Sequence, residues 1–259
     1  VKATLRVIGR GAGLILLLIV VLPGVLAGIA LARRWQKQHW QDMMVQSWSK
    51  LLLRTLGLQL RHYGTAAENP VFLVANHVSW LDIPVIHSAK TAGFVAKAEI
   101  ARWPVLGWVV KCGDTVFHQR GRVDSRQRVL QALQARLEQN RAVAVFPEGK
   151  TTDGSAIGRF HRQLLQAAVE TGCPIQPVAI EYWDNQHRRH WQVPFQQGES
   201  FLHNVWRLLT LPPGFAVVHW LSPLPTRQAD EQPRSARELA QQAQRAIEQQ
   251  LTQDGYWLS

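Results

Sequence analysis

Val71-Phe-Leu-Val-Ala-Asn-His-Val-Ser-Trp-Leu-Asp82 opens on five apolar, partly β-branched residues and closes on a carboxylate. The run Val71–Ala75 is short for a helix and apolar on both sides, so it reads as a buried strand. Asn76 and His77 then leave its carboxyl end. Ser79 to Ala89 reads as a helix, which places Asp82 in the first helical turn, five residues after His77. A carboxylate there can fold back on the imidazole. If it accepts the proton on one ring nitrogen, it selects the tautomer, steadies the imidazolium and leaves the other nitrogen to take a proton from a hydroxyl. Such a pair is a base without a nucleophile of its own.

Outward from this stretch, strand and helix alternate. Ala142–Phe146 and Ile175–Tyr182 repeat the buried-strand signature, while Phe94–Lys97, Thr115–His118 and Phe215–Leu221 read as further strands. Ile100–Lys111 reads as an apolar helix. Asp124 is placed to cap a helix reaching Asn140, with Val129, Leu130, Leu133 and Leu137 at helical spacing. Further helices are expected over 162–171 and from Ser235 to Leu251, and a turn at Ser222-Pro-Leu-Pro225. The pattern predicts an α/β fold: a mixed, largely parallel sheet flanked by helices, with ligand sites beyond the carboxyl ends of its strands.

The amino-terminal part is different in kind. Between Arg10 and Arg33 lie 22 uncharged residues, Gly11–Ala32, which as a helix would span about 33 Å. A transmembrane anchor is the first reading. A half-inserted segment turning at Pro23-Gly24, or a cleaved signal, are the alternatives. The segment 33–60 is helical in pattern, and Trp35, Trp40, Met44, Trp48, Leu51 and Leu52 can form one apolar stripe, facing either a membrane or the catalytic domain. The expected division is therefore an N-terminal membrane-associated helical part, 1–60, and an α/β domain, 61–259. Basic flanks on both ends, with a slight excess after the segment, favour a main domain facing the cytoplasm from the inner membrane.

Composition narrows the partners. The formal charge is +11, from 29 Lys and Arg against 18 Asp and Glu, so the surface attracts polyanions. The cations are scattered, and no recognition-helix, zinc-finger or RNP-type pattern is present, which argues against nucleic acid. Eleven Trp against three Tyr fits a protein in contact with membrane lipids. Cys112 and Cys173 are the only cysteines, so neither a disulfide framework nor a zinc ligand set is suggested, and a reducing compartment is expected.

Two further blocks carry chemistry. Pro147-Glu148-Gly149-Lys150-Thr151-Thr152 follows the strand ending at Phe146 and combines flexible backbone, hydroxyls and one cation, suited to an anion. Gly113-Asp-Thr-Val-Phe117-His-Gln-Arg120-Gly-Arg122 sets two guanidiniums just past another strand, suited to phosphate or carboxylate. Taken singly, each block has a bland alternative as an ordinary turn or solvated surface.

In order, the blocks N-H-x-x-x-x-D (Asn76, His77, Asp82), G-x-x-x-F-x-x-R (Gly113, Phe117, Arg120), F-P-E-G (Phe146 to Gly149) and a proline-bearing strand (Ile175 to Ile180) resemble those of the glycerolipid acyltransferase family, the lysophosphatidate acyltransferases and their relatives. The resemblance covers about Leu60 to Tyr182. It implies that His77 is the general base, Asp82 its orienting partner and Asn76 a support, and that Arg120, Glu148 and Gly149 shape the acceptor's headgroup site. The family commonly continues F-P-E-G with Thr-Arg, whereas Lys150-Thr151 stands here, so Lys150 is the candidate cation. The implied reaction moves an acyl group from acyl-CoA or acyl-carrier protein, as co-substrate, to a lysolipid acceptor, 1-acyl-sn-glycerol-3-phosphate or another such as lyso-ornithine lipid. No cofactor and no metal are expected in it. The rival class is a silent membrane-surface or polyanion-binding protein; an intact His77–Asp82 pair speaks against it.

Overall fold

The computed structural model describes residues 2–98, 115–118, 123–196 and 198–257. The expected helix at Ile100–Lys111, Gly113 and Arg120 lie outside them.

The chain starts as one long helix: α1 (Lys2–Leu16), a π-helical turn (Leu17–Val21) and α2 (Leu22–Arg34). Pro23-Gly24 makes no hairpin. The wider π turn just before it accommodates a residue that lacks an N–H and whose ring would crowd the preceding turn, so the helix runs on. The reversal comes at Trp35–Lys37 instead, where Gln36 has φ 53°. From there α3 (Gln38–Thr55) returns along α2.

The stripe on α3 divides between its two proposed uses. Leu52 and Leu53 are buried and Trp48 packs against the core, while Trp40, Met43 and Leu51 are exposed. The helix ends before residue 60: Leu58–Gly64 forms β1, an edge strand in register with β7, Leu58 opposite Gly214. This strand runs across the boundary drawn at 60. Its partner lies about 150 residues away in the chain, so no local pattern announces it.

The remaining elements are β2 (Phe72–Ala75), α4 (Asp82–His87), β3 (Gly93–Lys97), β4 (Val116–His118), α5 (Val123–Glu138), β5 (Val143–Val145), α6 (Gln166–Thr171), β6 (Ile175–Asp184), α7 (Phe201–Thr210), β7 (Gly214–Trp220) and α8 (Ala236–Gln253). They form one seven-stranded sheet in the order β1-β7-β6-β2-β5-β3-β4. All neighbours are parallel except β6 and β7. The mixed, largely parallel sheet is thus as expected. α7 was not, although Ser200 caps it by accepting from His203 N and its apolar residues recur at helical spacing.

β2 shows how the sheet is buried. Leu73 and Ala75 point into the core under α3, α4 and α7, and Phe72 and Val74 into the core under α5, α6 and α8. All four are 0–1% exposed, and each of the larger side chains contributes roughly 1.5–3 kcal/mol by leaving water. A strand buried on both faces carries polar function only where it ends. β2 and β5 are adjacent and parallel, with Val74 opposite Val145, so the segments beginning at Asn76 and Phe146 emerge side by side.

Candidate active site

Asn76, the residue that leaves β2, is fully buried and pairs with the backbone of β6: its Nδ2 donates to Ile180 O at 3.0 Å and its Oδ1 accepts from Ile180 N at 2.8 Å. That two-way bond satisfies the amide and holds the strand exit. His77 follows, its imidazole stacked on the Phe146 ring with centroids 3.9 Å apart. Its Nδ1 lies 2.8 Å from Asp82 Oδ2.

Asp82 is 0% exposed and accepts four hydrogen bonds. Oδ2 takes Val78 N at 2.8 Å and Ser79 N at 2.9 Å besides the imidazole, and Oδ1 takes the Tyr182 hydroxyl at 2.7 Å. The two backbone donors come from the residues between the pair, because the chain turns sharply into α4 and aims its N–H groups at the first-turn carboxylate. Three protein donors besides the ring satisfy the buried carboxylate oxygens of Asp82. With Nδ1–H committed to Asp82, Nε2 is the acceptor nitrogen, and it has no hydrogen-bond partner among the described residues. The side chain of His77 remains 16% exposed.

Glu148 does not point at solvent. Its Oε1 accepts from His77 N at 2.8 Å and its Oε2 from Gly158 N at 2.7 Å, and burial pushes its carboxyl up from the ordinary value. A Cβ on Gly158 would sit 2.8 Å from Oε2, so only glycine admits this approach. Thr152 N donates to His77 O at 2.9 Å, a second tie between the two segments. Gly149 turns the loop with φ 71°, the left-handed region where a side chain is strained. Gly149 and Lys150 are exposed at the surface of that loop.

Thus the structure joins His77, Asp82 and Glu148 by hydrogen bonds, with Asn76 beside them tied to Ile180 of β6. It leaves Gly149 and Lys150 on the rim, and Arg120 lies outside the described residues. Glu148, read from sequence as part of the headgroup site, has both oxygens engaged by backbone donors of this unit.

Sequence reasoning did not single out Tyr182, Arg189 or Trp257. Burial and the neighbouring Asp82 charge hold the Tyr182 phenol well above its ordinary value, so it stays a donor. Arg189 donates to Asp153 O at 2.8 Å and Trp257 Nε1 to Gly154 O at 3.1 Å, bracing the loop from the carboxyl-terminal half. Tyr182→Phe removes one bond to a buried charge, and a fall in kcat of roughly tenfold is expected with KM unchanged. A folded Tyr182→Phe protein with parental kcat would make Tyr182 merely structural.

The Phe146–Gly149 loop borders a cleft of about 950 Å³, with Phe146, Pro147 and Gly149 in its wall and Arg162 and Arg234 at its edge. An adjoining groove of about 500 Å³ carries Arg159, Arg237 and Arg245. One apolar wall and a basic rim fit an amphiphilic anion.

The family model for acyltransferases matches residues 59–181. A lyso-ornithine lipid O-acyltransferase of Pseudomonas aeruginosa is 36% identical over 211 residues, covering 80% of this chain and 78% of that protein. A 1-acyl-sn-glycerol-3-phosphate acyltransferase of Neisseria gonorrhoeae is 34% identical over 134 residues, 52% of each chain. Among solved structures, the 1-acyl-sn-glycerophosphate (LPA) acyltransferase PlsC of Thermotoga maritima superposes with a TM-score of 0.72 over 97% of this chain and 95% of that one; at 21% identity it shows the shared fold. The residues matched by the family model include His77, Asp82 and the Phe146–Gly149 loop, and the 36% identity to a relative covered over 78% of its length shows that this chain belongs to the acyltransferase family.

Proposed function

We propose that this chain carries an acyl group from a thioester carrier to the free hydroxyl of a lysolipid, with His77 as general base. The observation that carries this reading is the imidazole fixed by Asp82 at Nδ1, stacked on Phe146 and unpartnered at Nε2 among the described residues. The acceptor hydroxyl gives its proton to Nε2 as its oxygen attacks the thioester carbonyl. The tetrahedral intermediate expels the thiolate, which takes the proton back from the imidazolium. Asp82 stabilises the imidazolium in between. A thiol of pKa about 8.5 leaves far more readily than an alkoxide, so one base suffices. No serine or cysteine side chain hydrogen-bonds to His77 among the described residues, which accords with direct transfer rather than an acyl-enzyme.

For the acceptor, 1-acyl-sn-glycerol-3-phosphate fits the basic rim with its phosphate, met by Lys150 and Arg162, with Arg120 the further candidate from the resemblance. A specific observation favours a second acceptor, lyso-ornithine lipid. The relative with that name is similar over most of both chains, and Lys150-Thr151 offers a point charge where the family commonly sets an arginine fork. The arginines of the adjoining groove suit a phosphate-bearing donor, acyl-CoA or acyl-carrier protein.

The chain works at a membrane surface. The helix Ala3–Arg34 is long and apolar enough to cross a bilayer, with a mean hydropathy of 3.0 over its most apolar window. Yet Leu17, Leu22, Leu26, Ile29 and Ala32 are buried against the protein, while Leu5, Ile8, Ile15, Leu16, Ile19 and Val20 are exposed. A helix with one side packed on protein and the other bare is placed to sink into one leaflet. Arg10 ties α1 to α7 by donating to Leu211 O at 2.7 Å, and α7 adds exposed Leu202 and Trp206 to the apolar surface. The basic residues Arg33, Arg34, Lys37 and Lys50 then favour the cytoplasmic leaflet of the inner membrane.

The test is to incubate purified protein with one labelled acyl donor and a panel of lysolipids and to identify products by mass. Acylated 1-acyl-sn-glycerol-3-phosphate, or acylated lyso-ornithine lipid, is the expected product. Fatty acid released at the same rate without any lysolipid would make the chain a hydrolase and end this reading.

A further inference from the structure

We infer that Glu181, His219 and Asp254 form a divalent-cation site on the face of the sheet opposite the His77–Asp82 pair. It would take Zn²⁺ or another first-row ion of similar taste through one imidazole nitrogen, two carboxylate oxygens and solvent.

The topology builds the cluster. Successive residues of a strand face opposite ways: Tyr182 reaches Asp82, and Glu181, one position earlier on β6, faces away from it. His219 on β7 pairs with Ala179, two positions from Glu181, so the two side chains are diagonal neighbours on one face. Asp254, at the carboxyl end of α8, completes the set. The negative end of that helix adds to the two carboxylates and makes the spot more favourable for a cation.

The spacing also suits coordination. His219 Nε2 lies 3.3 Å from Asp254 Oδ2 and 3.6 Å from Glu181 Oε2, and one donor atom from each residue lies within 4.8 Å of the others. Ligands at about 2.0–2.2 Å from a tetrahedral metal stand roughly 3.4 Å apart. The Glu181 side chain is 1% exposed and that of His219 11%, and Glu181 Oε1 and His219 Nε2 have no hydrogen-bond partner among the described residues. A buried carboxylate oxygen and a buried ring nitrogen without partners cost free energy, and a shared cation offsets it.

The surroundings are those of a held ligand set. Trp183 Nε1 donates to Glu181 Oε2 at 2.7 Å, and the Tyr63 ring stacks on His219 at 5.0 Å, so both ligands are oriented from outside the cluster. A cavity of about 510 Å³, with Arg61, Tyr63 and His187 in its wall, gives an ion access. Just beyond Asp254, Tyr256 accepts from Tyr182 N and Trp257 donates to Gly154 O. An ion at Asp254 would therefore pin the carboxyl-terminal turn that braces the Phe146–Gly158 loop. Its role is structural, apart from the transfer chemistry.

The test uses the full chain in detergent, stripped with chelator and titrated with Co²⁺ while the visible absorption is followed. Saturation at one equivalent with a tetrahedral-type band, reversal by Zn²⁺, and a higher unfolding temperature with Zn²⁺ than with chelator are expected. Asp254→Asn, at a partly exposed position that should not disturb folding, is expected to raise the dissociation constant at least tenfold, and His219→Gln to abolish the band. No saturable uptake, or uptake unchanged in both variants, would overturn the site, the latter showing only adventitious binding by other histidines.

Discussion

The His77→Ala protein is expected to transfer acyl groups at least about 10²–10⁴-fold more slowly than the parent, while it still folds and still partitions to membranes. The expectation rests on how little else the imidazole does. Its side chain stacks on Phe146 and bonds Asp82, but the ties to Glu148 and Thr152 run through the His77 backbone and survive truncation. Alanine therefore removes the proton acceptor and one stacking partner and leaves the segment in place. The measurement is free thiol released from an acyl thioester in the presence of lysolipid, alongside circular dichroism and membrane retention. Turnover near the parental rate in a folded His77→Ala protein would exclude this base.

Asp82→Asn should cost as much in rate for another reason. Asp82 accepts every one of its bonds, from the His77 ring, two backbone amides and a phenol. An amide in its place sets an NH₂ against donors on one side or the other, so the imidazole loses its orienting acceptor and the tautomer is no longer selected. A drop of about 10³–10⁴-fold in kcat is the scale for losing a carboxylate that orients a catalytic histidine. The same mismatch leaves at least one buried donor unsatisfied, so an accompanying stability loss of about 1–3 kcal/mol is expected in denaturant unfolding. The two variants together separate proton transfer from positioning. His77→Ala loses rate with little change in stability, whereas Asp82→Asn loses both. A folded Asp82→Asn protein with parental kcat would mean that the imidazole acts alone.

The path from residues to site was uneven. The strand–helix alternation and the His77–Asp82 relation were legible because both are short-range: one strand exit, one helical turn, five residues. Glu148 was visible as a residue but not in its place. Sequence sets it beside Gly149 and Lys150 on an anion loop, and only the adjacency of β2 and β5 turns its carboxylate onto His77 N and Gly158 N. β1 was hidden because its pairing partner is β7 and its own residues continue a helical pattern. At Pro23-Gly24 a local rule suggested a turn that the π-helical register absorbed. Tyr182 was read as the end of a strand, with nothing in its neighbours to show that its hydroxyl meets a carboxylate 100 residues earlier.

What the amino-acid order determines unaided is a strand that can be buried on both faces, an imidazole where it ends, and a carboxylate one helical turn on. Short-range geometry leaves that pair few other arrangements. Which groups surround it was settled by the order β6-β2-β5 in the sheet, since side chains far apart in the chain meet only when their strands become neighbours. The same holds for Glu181, His219 and Asp254: each is unremarkable in its own segment, and the antiparallel pairing of β6 with β7, with α8 laid across them, is what turns three isolated polar residues into a cluster.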